Sequence, residues 1–223
     1  MKKEFFPEPI LIEWENGIRQ YSTRRGDTEI LISHIPPKTK IKAHSHQQAQ
    51  IGMILKGELY MRVGDESQVM SALESIYVSP PDILHGGENK TDEEVVAIDI
   101  KRFKQGEDYC LANPFFKPLY KEEKLMDVMD AQFFHANWAQ IMLVNIPCRG
   151  GMMPEHRHQQ EQIGICIDGE YDMTIEGVNT TMTFGKSYFC LANECHSAVN
   201  NRDENAKLIN IFIPPRYNNA ATA

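Results

Sequence analysis

No stretch of this chain stays apolar for the roughly 18–20 residues that a membrane-spanning helix requires, so no membrane role is expected. No basic stripe relieves the formal net charge of −8, and that balance argues against nucleic acid, whose phosphates are met by Lys and Arg. The opening MKKEFFPEPILIEW carries two lysines, but Glu and Pro interrupt its apolar residues, so no secretory core is expected there. Five cysteines, an odd number without a CxxC pair, make no disulfide framework. A reducing cytoplasm is the expected compartment. Cys166 and Cys190 sit within apolar runs and read as small core residues. Long helical periodicity is scarce as well, which removes helical bundles from consideration.

What the chain does contain, it contains twice. AHSHQQAQIGMILKGE (residues 43–58) has its counterpart in EHRHQQEQIGICIDGE (155–170), LHGGEN in CHSAVN, and IDIKR in INIFI. The offset is 112 residues at the first match and 111 at the later ones, the mark of a tandem duplication with units of about a hundred residues. Within each unit, short runs rich in Ile, Val, Thr, Tyr and Phe are punctuated by Gly, Pro, Asn and Asp. EILISHI, IGMILKGELYMRVG, ESIYVSP and EVVAIDIKR read as strands in the first unit. IMLVNIP, IGICIDGEYDMTIEG, SYFCLAN and AKLINIFIP read so in the second. Strands at that spacing predict an all-β sandwich or small barrel. The expected division is a first barrel over 1–103, a linker over 104–130 where alternation lapses, a second barrel over 131–217, and a frayed tail over 218–223.

The chemistry comes from strand parity. His44, His46 and Gln50 share parity, as do His156, His158 and Gln162, so in extended chain each trio faces one interior. Two imidazoles and an amide oxygen make a poor core but part of a coordination sphere. A later strand in each unit offers a third imidazole, His85 or His196. Imidazole with oxygen suits a borderline divalent ion such as iron(II), cobalt(II), nickel, copper or zinc. Any single histidine is more often a hydrogen-bonded residue than a ligand, but six of the eight fall into two matching sets. His34 and His135 stand outside the pattern and read as structural. Glu161 has the wrong parity and reads as a solvated charge, while Gln48 and Gln160 have the right parity and rival Gln50 and Gln162.

His-x-His, three residues, an acidic or amide side chain, six residues and Gly make up the first cupin motif. It stands here as His44, His46, Gln50, Gly57 and again as His156, His158, Gln162, Gly169. The second motif ends in His-x3-Asn, here His85 to Asn89 and His196 to Asn200, with its leading Gly and Pro only half kept. The chain therefore resembles a bicupin, which implies two tandem small β-barrels of the double-stranded β-helix or jelly-roll type, each with a metal in its mouth. LIEWENGIRQYSTRRGDTE, ALES, VAIDIKR, FGKSYFC and INIFIPPRYN extend the likeness. They resemble the dihydro-4-hydroxyphenylpyruvate isomerase family of bacilysin biosynthesis. That resemblance implies an isomerase converting an endocyclic, prephenate-derived 2-oxo acid to its conjugated exocyclic isomer, with iron(II) or cobalt(II) in its two cupins.

Such a reaction removes a proton beside a ketone and makes a dienolate. Neutral Gln50 and Gln162, where many cupins have Glu, would leave each ion its full charge to stabilise that anion. PPRYN lies just beyond the last repeated strand; Arg216 offers a fork for a carboxylate, and Tyr217 a phenol to bind substrate or relay a proton. The family resemblance supports Tyr217 as a substrate contact. The second cupin is expected to be catalytic and the first structural. Two rivals stay open: a cupin dioxygenase acting on a diketone or flavonol, which would consume oxygen, and a metabolite-binding bicupin, which would bind without turnover. The general base and the oligomeric state are not legible in the residues.

Overall fold

The computed structural model describes residues 2–109 and 114–216; Tyr217 and the tail 218–223 lie outside the described residues. The chain divides into two compact units, Glu8–Leu119 and Met1–Pro7 with Tyr120–Ala223. Each is a jelly-roll barrel of one large and one small antiparallel sheet, the bicupin architecture that the motif resemblance implies. In the first, the large sheet runs in the order Ile10–Glu13, Arg19–Arg25, Thr28–Ile35, Val95–Arg102, Ala49–Lys56, Ser75–Ser79, Phe116–Pro118. The small sheet is Lys40–His44, His85–Glu88, Glu58–Val63, Glu66–Ser71. The second repeats this plan with Lys121–Leu125, Met129–His135, Gln140–Ile146, Ala206–Ile213, Glu161–Asp168 and Ser187–Cys190 in the large sheet. Its small sheet is Gly151–His156, His196–Asn200, Tyr171–Ile175 and Val178–Met182. Among the described residues no helix is long and apolar enough to cross a membrane.

Alternation builds the small sheets. In Glu58–Val63, Leu59, Met61 and Val63 turn inward while Glu58 and Arg62 stay exposed. These side chains meet Ile35, Ile54, Met70, Tyr77, Val95 and Ala97 in the core of the first barrel. The second core gathers Phe133, Met142, Val144, Tyr171, Met173, Tyr188 and Phe212. Each fully buried large apolar side chain contributes about 1.5–3 kcal/mol. Val95–Arg102 and Ala206–Ile213, each flanked by two antiparallel neighbours, are buried at nearly every position. Asn89 closes the loop beside the first small sheet: fully buried, it donates to the carbonyls of Pro36 and Glu93 at 2.9 and 2.8 Å. Asn200 does the same with Ile146 and Glu204. The Asn of the second motif thus acts on the backbone.

The described parts of the stretch expected as a linker, 104–109 and 114–130, are built into the barrels. Buried Arg102 grips Glu107 through two bonds of 2.8 Å, and Tyr109 donates to the same carboxylate. Phe115 and Phe116 enter the first core, and Phe116–Pro118 adds a strand beside Ser75–Ser79. Lys121–Leu125 pairs with Met129–His135 in the second unit. A three-residue strand and a strand spelled KEEKL show no apolar alternation, so periodicity missed both. The N-terminal segment also departs from expectation. Its helix Lys2–Phe5 lies against Ser187–Cys190, and Phe5 and Phe6 pack on the second core.

Candidate metal centres

Each small sheet brings two histidines face to face. His44 is the register partner of His85, and His156 of His196; in both ladders the register shifts just before the pair. His46 and His158 lie two residues past their strands. In the first barrel the ring centroids lie 4.5 Å (His44–His85), 4.9 Å (His46–His85) and 5.7 Å (His44–His46) apart. The second repeats this at 4.4, 5.0 and 5.7 Å. In each trio one nitrogen per ring lies within 4.8 Å of the others, so both could hold a metal ion.

The backbone decides which nitrogen. Nδ1 of His44, His46 and His85 sits 2.9 Å from the carbonyls of Lys42, Gln48 and Ile83. Nδ1 of His156, His158 and His196 sits 2.8–3.0 Å from those of Pro154, Gln160 and Glu194. A carbonyl only accepts, so each Nδ1 carries the proton and each Nε2 presents its lone pair to the common centre. Gln48 and Gln160 therefore contribute backbone oxygens that orient the rings, and not their carboxamides. Burial drives His85 and His196 down to about 4. His46 is lowered by burial and then by the charge of Lys101, and His158 by burial and then by Arg216. Burial thus favours the neutral form, with its lone pair, in these four imidazoles.

The carboxamides complete the pattern. Gln50 and Gln162 are buried and point Oε1 at Nε2 of His46 and His158, 2.9 Å away in both barrels. Their amide nitrogens face the other way: Gln50 donates to the Tyr77 hydroxyl and to Asp99, 3.0 Å away, and Gln162 to Tyr188 and Asn210 at 2.6 and 3.1 Å. An amide oxygen and an imidazole lone pair at 2.9 Å repel unless a cation lies between them. Among the described residues, Nε2 of His85 is buried with no hydrogen-bond partner, a second lone pair left for the same purpose. Three imidazoles and one amide oxygen fit a borderline divalent ion.

Glycine makes room for this arrangement. A Cβ on Gly52 would stand 2.1 Å from the Tyr77 ring, and one on Gly164 would stand 2.0 Å from Tyr188. Gly164→Ala must therefore displace the tyrosine that holds Gln162. We expect it to weaken cobalt(II) binding at that centre by about 10–100-fold, read by titration of the folded protein.

His34 pairs with Glu94 at 3.0 Å, and His135 lies 2.8 Å from the amide of Gln140; both stand apart from the trios. Glu161 is half-buried on the strand face opposite Gln162. Cys166 and Cys190 are buried in the second core, and Cys190 Sγ also approaches Nδ1 of His196 at 3.2 Å. The Arg216 guanidinium lies 5.6 Å from the Phe212 ring, itself 5.8 Å from that of His158. Tyr217 lies outside the described residues. Periodicity missed Tyr77, Tyr188, Asp99 and Asn210. The repeat offered the means to find them, because SIYVS over KSYFC and IDI over INI place the same polar atoms behind the carboxamide in both units.

The chain is a cupin twice over, matching the cupin domain model at residues 31–101 and again at 142–212, and it belongs to that family. It is 52% identical over 220 residues to the H2HPP isomerase of Bacillus subtilis, covering 99% of this chain and 93% of the relative, and the two share one family. Among solved structures it resembles AerE from Microcystis aeruginosa, with a TM-score of 0.88 at 27% identity over 94% of this chain and 99% of that one. An oxalate decarboxylase of Lactobacillus farciminis shares the fold at a TM-score of 0.79 and 12% identity, over 96% of this chain and 86% of that one.

Proposed function

We propose that this chain is a metal-dependent isomerase of dihydro-4-hydroxyphenylpyruvate, the H2HPP of its Bacillus relative. It moves the endocyclic diene of this prephenate-derived 2-oxo acid into conjugation, giving the exocyclic isomer in a bacilysin-type antibiotic pathway. The observation that carries the reading is 52% identity over 99% of the chain, together with two complete sets of three imidazoles and a carboxamide.

His44, His46, Gln50 and His85 would hold one ion, and His156, His158, Gln162 and His196 the other, with iron(II) or cobalt(II) the expected metals. Bound there, a divalent ion supplies Lewis acidity towards the keto oxygen, worth several kcal/mol of dienolate stabilisation. Gln162 leaves that acidity undiminished because it brings no negative charge, and Asn210 behind it is neutral as well. The second barrel is the site of turnover. Arg216 binds the substrate carboxylate from its place over Phe212, whose ring stands beside His158. Tyr217 binds the substrate, a role drawn from the family resemblance, and its phenol relays the proton leaving the carbon beside the ketone to the ring carbon, whose protonation completes the double-bond shift. An ion held in the first barrel would stabilise it by binding only the folded state. Four free cysteines among the described residues support a cytoplasmic location.

The test is spectrophotometric and anaerobic. The endocyclic acid given to the metal-loaded protein should develop the absorbance of the conjugated product, lose that activity with chelator, and regain it with iron(II) or cobalt(II). No absorbance change with metal confirmed in the protein would overturn the reading. In the same assay Gln162→Glu should lower kcat by about tenfold or more, because a carboxylate cancels part of the ion's charge.

A further inference from the structure

The first barrel carries a cation where the second carries a phenyl ring. Lys101 and Phe212 occupy one position of the repeat. Each lies two residues past the side chain that accepts from the carboxamide, Asp99 or Asn210, and each is the register partner of the carboxamide itself, Gln50 or Gln162. Side chains two apart on a strand share a face. Lys101 therefore enters the same interior as Asp99, and the Phe212 ring, 5.8 Å from that of His158, marks the course such a side chain takes beside the middle imidazole. The ammonium is close enough to act on His46, His85 and Asp99. Lys101 is half-buried, and among the described residues no hydrogen bond or ion pair holds its ammonium. The nearest carboxyl, Asp99, accepts instead from the Gln50 amide and the Tyr77 hydroxyl, so the ammonium keeps its hydrogen-bonding capacity, and an anion entering the barrel can take it up. Arg216 plays the corresponding part in the second barrel from beyond the end of the strand.

We propose that the first barrel is a second binding site for a small 2-oxo acid, whose carboxylate pairs with Lys101 while its keto oxygen faces the centre formed by His44, His46, His85 and Gln50. The class of acid rests on the isomerase reading; the anion site rests on Lys101 and its neighbours. The first barrel would then sense or retain substrate or product in addition to holding metal. Because a carboxylate offsets the ammonium, acid and metal should also bind there cooperatively, each tightening the other by the same factor.

The test uses the full chain loaded with cobalt(II) and phenylpyruvate, a 2-oxo acid without the ring diene that reacts. Calorimetry should give two equivalents of phenylpyruvate per chain for the wild type and for Lys101→Arg. Lys101→Met should give one, the first-barrel affinity having fallen about tenfold or more. Phenylacetone, which keeps the ketone and lacks the carboxylate, should not occupy the first barrel. The cobalt(II) visible spectrum of a His158→Ala variant, in which the second centre is disabled, should still respond to phenylpyruvate and should cease to do so when Lys101→Met is added. Thermal melts of the variants establish that they remain folded. A single equivalent for wild type and Lys101→Met alike would overturn the first-barrel site and leave the isomerase reading standing. Two equivalents for Lys101→Met would overturn the role of Lys101. No binding by the loaded wild type, with no turnover of the dihydro acid, would overturn both.

Discussion

His158→Ala should lower kcat by about a thousandfold or more and remove one equivalent of metal, while His46→Ala should remove the other equivalent and leave most of the turnover. The two residues are geometric twins. Each Nδ1 is anchored on a backbone carbonyl two residues ahead, and each Nε2 faces a carboxamide oxygen at 2.9 Å. What differs is the surroundings. Behind Gln162 stands neutral Asn210, and beside His158 lie Phe212 and the guanidinium of Arg216. Behind Gln50 stands the half-buried carboxyl of Asp99, an acid where the second barrel has a neutral amide. Elemental analysis of both variants separates loss of metal from loss of chemistry. Equal loss of turnover in the two would assign catalysis to both barrels, and loss in His46→Ala alone would reverse the assignment.

Glu107→Ala should destabilise the protein by about 3–5 kcal/mol in denaturant titrations, more than any surface substitution. Arg102 is 1% exposed, and Glu107 neutralises it through a two-pronged pair while Tyr109 donates to the same carboxylate. Removing the carboxylate leaves a guanidinium buried without its counter-ion. The pair also sets an acid limit. The bonds from Arg102 hold Glu107 at about 2, below the ordinary 4.5, so its stabilisation is full above 4.5 and is lost as pH falls towards 2. The metal-free imidazoles act earlier. His85 and His196 titrate near 4 in the fold and near 6.5 in the unfolded chain. The unfolded state then takes up more protons, and apoprotein stability falls from pH 6.5 towards 4. Thermal melts of apoprotein across this range should show that decline in the wild type, and Glu107→Ala should lose the further step below 4.5.

The two barrels and the two histidine trios were legible because duplication prints every candidate ligand twice in the same register. Parity alone put His44, His46 and Gln50 on one face and set Glu161 on the other. The domain edges were not legible, for a physical reason. Phe115 and Phe116 are anchored by packing, Glu107 by one buried arginine, and KEEKL forms a ladder along a strand whose faces both keep polar side chains. None of these leaves a period in the sequence. Burial on both faces of Val95–Arg102 likewise replaced alternation in its first half with the apolar run VVAI. Asp99 and Asn210 were overlooked within such runs, although a polar residue in a strand buried on both sides needs a partner, and that partner is the carboxamide.

The most direct test of the account is diffraction at the cobalt edge from crystals of the protein loaded with cobalt(II). Two anomalous peaks per chain are predicted, each about 2.0–2.2 Å from three imidazole Nε2 atoms and one Gln oxygen. Peaks elsewhere, or Nε2 atoms of either trio turned to other partners with no metal density among them, would contradict it.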